Sequence, residues 1–267
     1  MIAVAANARN PRAGWPGWSA VAAASGLGAV MALGQAPLGF WWLSLPALAG
    51  LIALVARASG ARGAGWLALF GGAGHFALAL SWLVEPFLID VARYGWMAPF
   101  AVVFMAFGLA LFWAGAAMLA HWGSGLRAKA GGRRALLFGV TLAVAELARG
   151  YVLTGFPWAL IGHVWIDTPL SQVAALIGPG GLTLMTTLAA SLPVAGRWRG
   201  FAGAAGVLAA AAGFGVAQLG VAVAVQPDPV IIRLVQPNAE QHLKWDADRA
   251  ITFFNRLLVL TETAPAP

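Results

Sequence analysis

The stretch WMAPFAVVFMAFGLALFWAGAAMLAH, from Trp96 to His121, decides the fold class of this chain. It contains no aspartate, glutamate, lysine or arginine. A helix of about 20 consecutive apolar residues is long enough to cross the hydrocarbon core of a bilayer. We therefore predict a transmembrane helix over this stretch.

Apolar runs of comparable length recur along the sequence. The chain of 267 residues is 61% hydrophobic and only 9% charged, whereas about a quarter of the residues of a soluble domain are charged. Seven transmembrane helices are predicted, over Trp18–Leu33, Phe40–Ala56, Gly65–Val84, Trp96–His121, Ala135–Leu153, Leu170–Val194 and Phe201–Val223. Residues 1–225 are thus expected to form an all-α polytopic membrane domain.

Basic residues mark one side of this domain. If the helices alternate in direction, one set of loops and termini contains Arg9, Arg12, Arg57, Arg62, Arg127, Lys129, Arg133, Arg134, Arg197 and Arg199. The opposite loops contain a single basic residue, Arg93. Because loops rich in lysine and arginine stay in the cytoplasm, we expect a cytoplasmic N-terminus. Residues after 225 would then lie outside, which in a bacterium is the periplasm. The net charge of +7 comes from basic residues gathered on one side of the membrane, so it indicates topology. No nucleic-acid partner is expected.

Two opposite charges lie inside the fifth predicted helix. Glu146 and Arg149 are spaced i, i+3, so they share one helix face and can neutralise each other. Ionisable groups in membrane helices face the protein interior or a wet cavity. One interpretation is an internal ion pair that fixes helix packing. The other is that the pair binds a phospholipid headgroup, because Arg149 lies near the predicted outer end of the helix.

An aromatic-proline turn, Thr154-Gly-Phe-Pro-Trp158, follows this pair. Glycine and proline interrupt the helix, and aromatic side chains are typical of the membrane interface. Such a turn alone more often anchors a helix than binds a ligand. Beside the ion pair, however, Phe156, Pro157 and Trp158 become candidate lipid contacts.

The character of the sequence changes after Gln226. An apolar strand running into a polar turn is predicted over 229–238, and Ile251, Phe254 and Leu257 recur at helical spacing. Residues 226–267 are therefore expected to open a water-soluble domain and to end before it could build a core. The chain has no cysteine, which excludes thiolate nucleophiles and thiolate metal ligands within it. Its histidines lack ligand-like spacing, and neither a metal nor another cofactor is predicted.

Taken in order, these motifs resemble the apolipoprotein N-acyltransferases, bacterial inner-membrane enzymes that complete lipoprotein maturation. The resemblance covers nearly the whole chain and runs through Gln35–Trp42, Gly71–Trp82, Glu146–Gly150, Thr154–Trp158, Pro169–Gln172, Gly180–Leu182, Leu234–Asn238 and Leu243–Asp246. Pro237 stands where the family usually has glycine, a minor departure. The combination is specific, although each piece alone is weak.

The resemblance implies a membrane domain that supports a periplasmic αββα sandwich of the nitrilase type. Residues 226–267 would supply the first strand and helix of that sandwich. Family members use a Glu-Lys-Cys triad: the cysteine takes an acyl chain from a phospholipid as a thioester and passes it to the N-terminal amine of a diacylglyceryl apolipoprotein. Gln236, Asn238 and Trp245 would be structural or substrate-proximal positions.

None of the three catalytic residues is expected in this chain. Glu262 lies in Leu-Thr-Glu-Thr-Ala, but it lacks the preceding Trp-Pro of the family's catalytic turn, and helical spacing places it near the end of the first helix. We therefore reject it, expect the triad beyond Pro267, and predict that the chain alone is inactive. The alternatives left open are a non-enzymatic multispan transporter or assembly protein, and a polyprenol-phosphate-linked relative with the same two-part layout.

Overall fold

The computed structural model describes residues 15–125, 131–221, 232–240, 243–244 and 246–263. These residues form helices and no β-strand. The helices are α1 (Trp18–Ala32), α2 (Trp41–Ala56), α3 (Ala61–Ala79), α4 (Val91–Tyr94), α5 (Ala98–Ser124), α6 (Gly131–Arg149), α7 (Ala174–Leu219) and α8 (Ala247–Glu262). Short 3₁₀ helices cover Ser81–Leu88, Gly95–Met97, Ile161–Trp165 and Pro169–Val173. The chain divides into two compact units, Met1–Ser81 with Val103–Val221, and Trp82–Val102 with Ala222–Pro267.

The apolar helices confirm the membrane character but not the predicted number of spans. Two described stretches are long and apolar enough to cross a membrane, Val91–Ser124 and Pro169–Leu219. Ala61–Ala79 and Ser81–Leu88 make a third if this pair, bent by 48°, is one span. The helices α1 and α2 are apolar but have only 15 and 16 residues, and α6 has charged residues near both ends. Seven spans are therefore not confirmed.

Glycine allows α1 and α3 to pack backbone against backbone. A Cβ atom added to Gly28 would lie 1.8 Å from the carbonyl oxygen of Gly71, and one added to Gly74 would lie 2.2 Å from that of Ser25. No larger residue fits at these points without moving a helix. Small residues at helix interfaces serve the same purpose throughout membrane proteins, because lipid offers no hydrophobic force to press helices together.

The helices α5 and α6 run antiparallel. Near their middles, the Thr141 hydroxyl donates to the carbonyl oxygen of Ala116 at 2.9 Å. Near the connecting loop, Nε of Arg134 donates to Oγ of Ser124 at 3.0 Å. This register brings the last turn of α6 beside the middle of α5.

The long helix α7 is a hairpin of two limbs. Arg197 has φ 53° and ψ −129°, which no α-helix contains. A Cβ atom added to Gly200 would lie 1.8 Å from the Leu192 carbonyl oxygen, and one added to Gly215 would lie equally close to that of Pro169. The end of α7 therefore lies beside the 3₁₀ helix that precedes it, and the chain reverses at Arg197. The described parts of the sixth and seventh predicted spans fall before and after this reversal.

In the second unit, the segment 232–240, which has no regular secondary structure, lies against α8. The carboxylate of Asp246 accepts a hydrogen bond from the Asp248 N–H and caps the start of this helix. Arg256 donates to the Pro237 carbonyl oxygen at 3.0 Å, and Arg233 binds carbonyl oxygens at the opposite end of α8. The segment 232–240 thus runs antiparallel to the helix.

The described part of the strand predicted over 229–238 forms neither strand nor helix. A strand needs a neighbour to accept its main-chain hydrogen bonds, and the described residues provide no such neighbour. The predicted boundary between residues 225 and 226 lies outside the described residues and stays a prediction.

Candidate functional site

Glu146 and Arg149 form a buried ion pair in the last turn of α6. Nε of Arg149 donates to Oε1 of Glu146 at 2.8 Å, and Nη2 donates to Oε2 at 2.8 Å. Both side chains are 0% exposed. The guanidinium carbon also lies 4.9 Å from the centre of the Phe76 ring. The pair has the planar, two-bonded geometry for which arginine is suited and lysine is not.

Arg149 also binds the chain that follows α6. Its Nη1 donates to the carbonyl oxygens of Phe156 at 2.5 Å and Trp158 at 2.8 Å. The Phe156 N–H in turn donates to the Arg149 carbonyl oxygen at 2.8 Å. Four of the five guanidinium N–H groups are thereby used within the protein.

Glu146 is equally well satisfied. Nε1 of Trp113, on α5, donates to Oε1 at 2.8 Å. The main-chain N–H of Ile161 donates to Oε2 at 3.3 Å. Together with the two bonds from Arg149, each carboxylate oxygen accepts two hydrogen bonds, which fills its capacity.

Two further side chains reach the same stretch of backbone. Nε2 of Gln35, in the loop after α1, donates to the Leu160 carbonyl oxygen at 3.0 Å. Nε2 of His75, on α3, lies 3.4 Å from the Ala159 carbonyl oxygen, and its ring stacks on Trp113 at 5.4 Å. Side chains from three places in the sequence thus converge on residues 156–161, and Trp113 contacts two of them, Glu146 and His75. We call Gln35, His75, Trp113, Glu146 and Arg149 the polar clamp.

The polar clamp explains how irregular backbone is accommodated among apolar helices. Residues 156–160 form no helix, so their carbonyl groups lack intrahelical partners. Non-helical backbone is tolerated at membrane depth only where protein or water satisfies it. Ala159, with φ 53°, is a left-handed residue that costs about 1 kcal/mol or more, and the bond from His75 falls on its carbonyl oxygen.

The start of this connection projects outward. Leu153 is 97% exposed and has φ 59°. Tyr151 and Trp158 are also exposed, while Phe156 is half-buried. The polar clamp therefore fixes the inner end of a loop whose outer end presents apolar side chains.

Comparison with known proteins places this architecture in a family. The model for the apolipoprotein N-acyltransferase N-terminal domain matches residues 27–192. The chain belongs to the apolipoprotein N-acyltransferase family. All five residues of the polar clamp lie within the matched range.

Individual members of the apolipoprotein N-acyltransferase family agree with this assignment. The enzyme of Caulobacter vibrioides is 42% identical over 194 residues, which cover 71% of this chain and 36% of the relative. The enzyme of Brucella melitensis is 37% identical over 202 residues, covering 72% and 37%. That of Rhodopseudomonas palustris is 31% identical over 203 residues, covering 72% and 37%. The chain thus spans little more than a third of the length of these relatives.

The structure brings together only some of the residues predicted for an N-acyltransferase. Glu146 and Arg149 meet as the ion pair of the first interpretation, and Phe156 and Trp158 offer their carbonyl oxygens to Arg149. Pro157 is exposed beside them. The three clamp residues missing from the predicted site are Gln35, His75 and Trp113, for which no sequence spacing gave a signal.

The remaining predicted positions lie in the second unit. Gln236 and Asn238 are exposed, and the Gln236 side-chain oxygen accepts a hydrogen bond from the Asn238 N–H. Trp245 lies outside the described residues. Glu262 is the last residue of α8, as its helical spacing predicted. These observations do not test whether any of them contacts a substrate of the N-acyltransferase reaction.

A small polar cavity of about 120 Å³ lies next to the polar clamp, between the loop on both sides of Gln35 and the chain around Asp167. His163 and Thr168 also line it. Burial lowers the pKa of His163, and the positive charge of Arg149 acts in the same direction, while Glu146 opposes the shift. The imidazole is accordingly neutral at pH 7.

Proposed function

We propose that this chain is the membrane part of an apolipoprotein N-acyltransferase, which transfers a phospholipid acyl chain to the N-terminal amine of diacylglyceryl lipoproteins. The observation that carries the proposal is the polar clamp, which lies inside the family-matched range and fixes an aromatic loop. Membership of the family supplies the reaction class. The fixed loop is the feature of the membrane part to which we assign a role in that reaction.

The same proposal assigns no acyl transfer to these 267 residues alone. The family resemblance implies a cysteine thioester, which splits one difficult transfer into two easier ones, and the chain contains no cysteine. The carbon–nitrogen hydrolase-like domain, begun by residues 226–267, would have to supply the Glu-Lys-Cys triad. Gln236, Asn238 and Trp245 would then stand close to the substrates.

Within the membrane part, the exposed and buried residues have different roles. Glu146 and Arg149 direct their polar atoms at the protein itself, so we assign them to positioning the loop. Phe156, Pro157 and Trp158 form the loop and are assigned to contact the phospholipid acyl donor. The proposed location is the bacterial inner membrane, with the N-terminus in the cytoplasm and residues after 225 in the periplasm.

A chimera tests this division of labour. Residues 15–221 would replace the matching part of the Caulobacter vibrioides enzyme, and transfer from phospholipid vesicles to a diacylglyceryl peptide would be followed by mass spectrometry. We expect transfer by the chimera and none by the 267-residue chain alone. Transfer by the chain alone, or a folded but inactive chimera, would contradict the proposal.

The loop assignment is tested in the same chimera. Trp158→Ala should raise the phospholipid concentration needed for half-maximal transfer. Trp122→Ala, at an exposed tryptophan near the end of α5, is the matched control and should leave that concentration unchanged. If the two substitutions raised that concentration equally, the loop would have no special role in binding the phospholipid.

A further inference from the structure

A groove on the outer face of α5 and α6 has no part in the proposed reaction. It is a cavity of about 480 Å³. Its walls and floor are formed by Leu111, Phe112, Gly115, Ala116, Leu119, Thr141, Val144, Ala145 and Ala148. From Leu111 to Leu119 the groove extends about 12 Å along α5, at 1.5 Å per residue.

The groove offers no free polar group. Eight of its nine lining residues are apolar. The exception is Thr141, whose hydroxyl lies within 2.9 Å of the carbonyl oxygens of Ala116 and Leu137. Its single proton is therefore used inside the helix pair. A headgroup, a sugar or a polar peptide would lose its hydration here and gain no hydrogen bond.

The shape favours a thin apolar chain. Gly115 and Ala116 on α5 and Ala145 on α6 make a low floor, and Leu111 and Leu119 rise beside it as exposed ridges. A helix with side chains is about 10 Å across, far wider than a single acyl chain. A polymethylene chain is narrow enough to lie along it.

The surroundings also favour such a chain. The helix α5 belongs to the stretch Val91–Ser124, which is apolar and long enough to cross a membrane. The outer face of such a helix contacts the hydrocarbon of the bilayer. We propose that the groove binds one acyl chain of a bilayer phospholipid as a resident ligand.

This site differs from the proposed acyl-donor contacts. It lies on the outer face of the helix turns whose inner faces hold Trp113 and Glu146, and it has no group that could recognise the ester. The proposal rests on the membrane placement of α5 and α6 and not on acyl transfer, so either can fail alone. An occupied groove would fill the gap between the two helices that carry much of the polar clamp.

Photolabelling tests the proposal directly. The full chain would be reconstituted into phosphatidylcholine vesicles containing a phospholipid with a mid-chain diazirine, irradiated, and digested for mass spectrometry. We expect adducts at the groove residues of α5 and α6 at several times the level found at Phe104, an exposed residue of α5 outside the groove. Labelling spread evenly along the exposed face of α5 would overturn the proposal.

Two glycines of α5 provide matched variants. A Cβ atom added at Gly115 or at Gly108 meets no atom within 4 Å, but only Gly115 lines the groove. Gly115→Leu should reduce groove labelling several-fold, and Gly108→Leu should not change it. If Gly115→Leu fails to fold, Ala145→Leu fills the groove from the other wall. Unchanged labelling in the folded groove variant would overturn the proposal.

Two further measurements distinguish other occupants. Replacing phosphatidylcholine by phosphatidylglycerol should leave groove labelling unchanged, because the groove contacts only the chain; a strong headgroup dependence would contradict this. Cross-linking would reveal a second copy of the protein. A dimer that disappears in Gly115→Leu but persists in Gly108→Leu would show a protein occupant and overturn the proposal.

Discussion

Arg149 and Arg233 bind main-chain carbonyl oxygens with the same chemistry in opposite surroundings. Arg149 binds the carbonyl groups of Phe156 and Trp158, and its side chain is 0% exposed beside Glu146. Arg233 is exposed and binds carbonyl groups in the last turn of α8. There its charge is compensated by water and by the partial negative charge of the helix end.

The difference shows that burial, more than the number of hydrogen bonds, sets the energetic weight of a residue. When an exposed bond is lost, water replaces the partner, so the net cost is small. When a buried bond is lost, a charge or a carbonyl group is left without a partner in a medium that cannot solvate it. Equivalent substitutions at the two arginines should therefore have very different effects.

The largest effect is expected from Arg149→Met. This substitution leaves the Glu146 carboxylate buried without a countercharge and frees two carbonyl groups. Breaking one side of a buried ion pair costs about 3–5 kcal/mol. The free energy of unfolding would be measured by titrating the detergent-solubilised chain with sodium dodecyl sulfate.

The control for this substitution is the double variant Glu146→Gln with Arg149→Met. It removes both charges, so its loss of stability should be smaller than that of Arg149→Met alone, even though it carries one more change. A double variant at least as unstable as the single one would show that the lost carbonyl bonds, and not the unpaired charge, dominate.

An intermediate effect is expected from Trp113→Phe. The substitution keeps an aromatic ring but removes the N–H that donates to Glu146. A hydrogen bond to a charged group contributes about 1.5–3 kcal/mol, and bonds within membranes tend to be weaker. We therefore expect a loss of about 1–2 kcal/mol in the same titration.

A double-mutant cycle separates this bond from the loss of packing. In the Glu146→Gln background the acceptor is no longer charged, so Trp113→Phe should cost less there than in the native chain. Identical costs in the two backgrounds would assign the whole effect to the smaller ring.

Short-range features of the fold and site could be predicted from sequence. The ion pair follows from the i, i+3 spacing of Glu146 and Arg149. The helix break after them follows from a glycine and a proline. The chain reversal at Arg197 falls between two predicted spans, and Glu262 ends a helix that apolar spacing indicated. In each case the signal lies within one or two helical turns.

Long-range features could not be predicted in this way. Gln35 and His75 bind carbonyl groups 125 and 84 positions away, and periodicity identifies a helix face without naming the neighbour that it meets. The number of spans stays unconfirmed for a related reason. The helices α1 and α2 are about as short as the spans predicted there, and no local pattern decides whether helices of that length cross the membrane. The strand over 229–238 depends on partner strands that no local pattern contains.

The smallest effect is expected from Arg233→Met. The carbonyl groups of Leu260 and Thr261 can bind water instead, and a charge near a helix terminus contributes about 0.3–1 kcal/mol at low salt. Global stability should therefore change by less than about 1 kcal/mol. Faster amide hydrogen exchange should be confined to the last turn of α8 and the segment 232–240.

Salt distinguishes the contributions of the two arginines most clearly, because it screens the interactions of exposed charges far more than those of buried charges. Raising the sodium chloride concentration from about 0.05 M to about 0.5 M shortens the screening length to a few ångströms. The difference in exchange between the native chain and Arg233→Met should then shrink, while the cost of Arg149→Met should persist. If both effects fell together, the ion pair at Glu146 would have to be accessible to solvent, and burial could not explain the contrast between the two arginines.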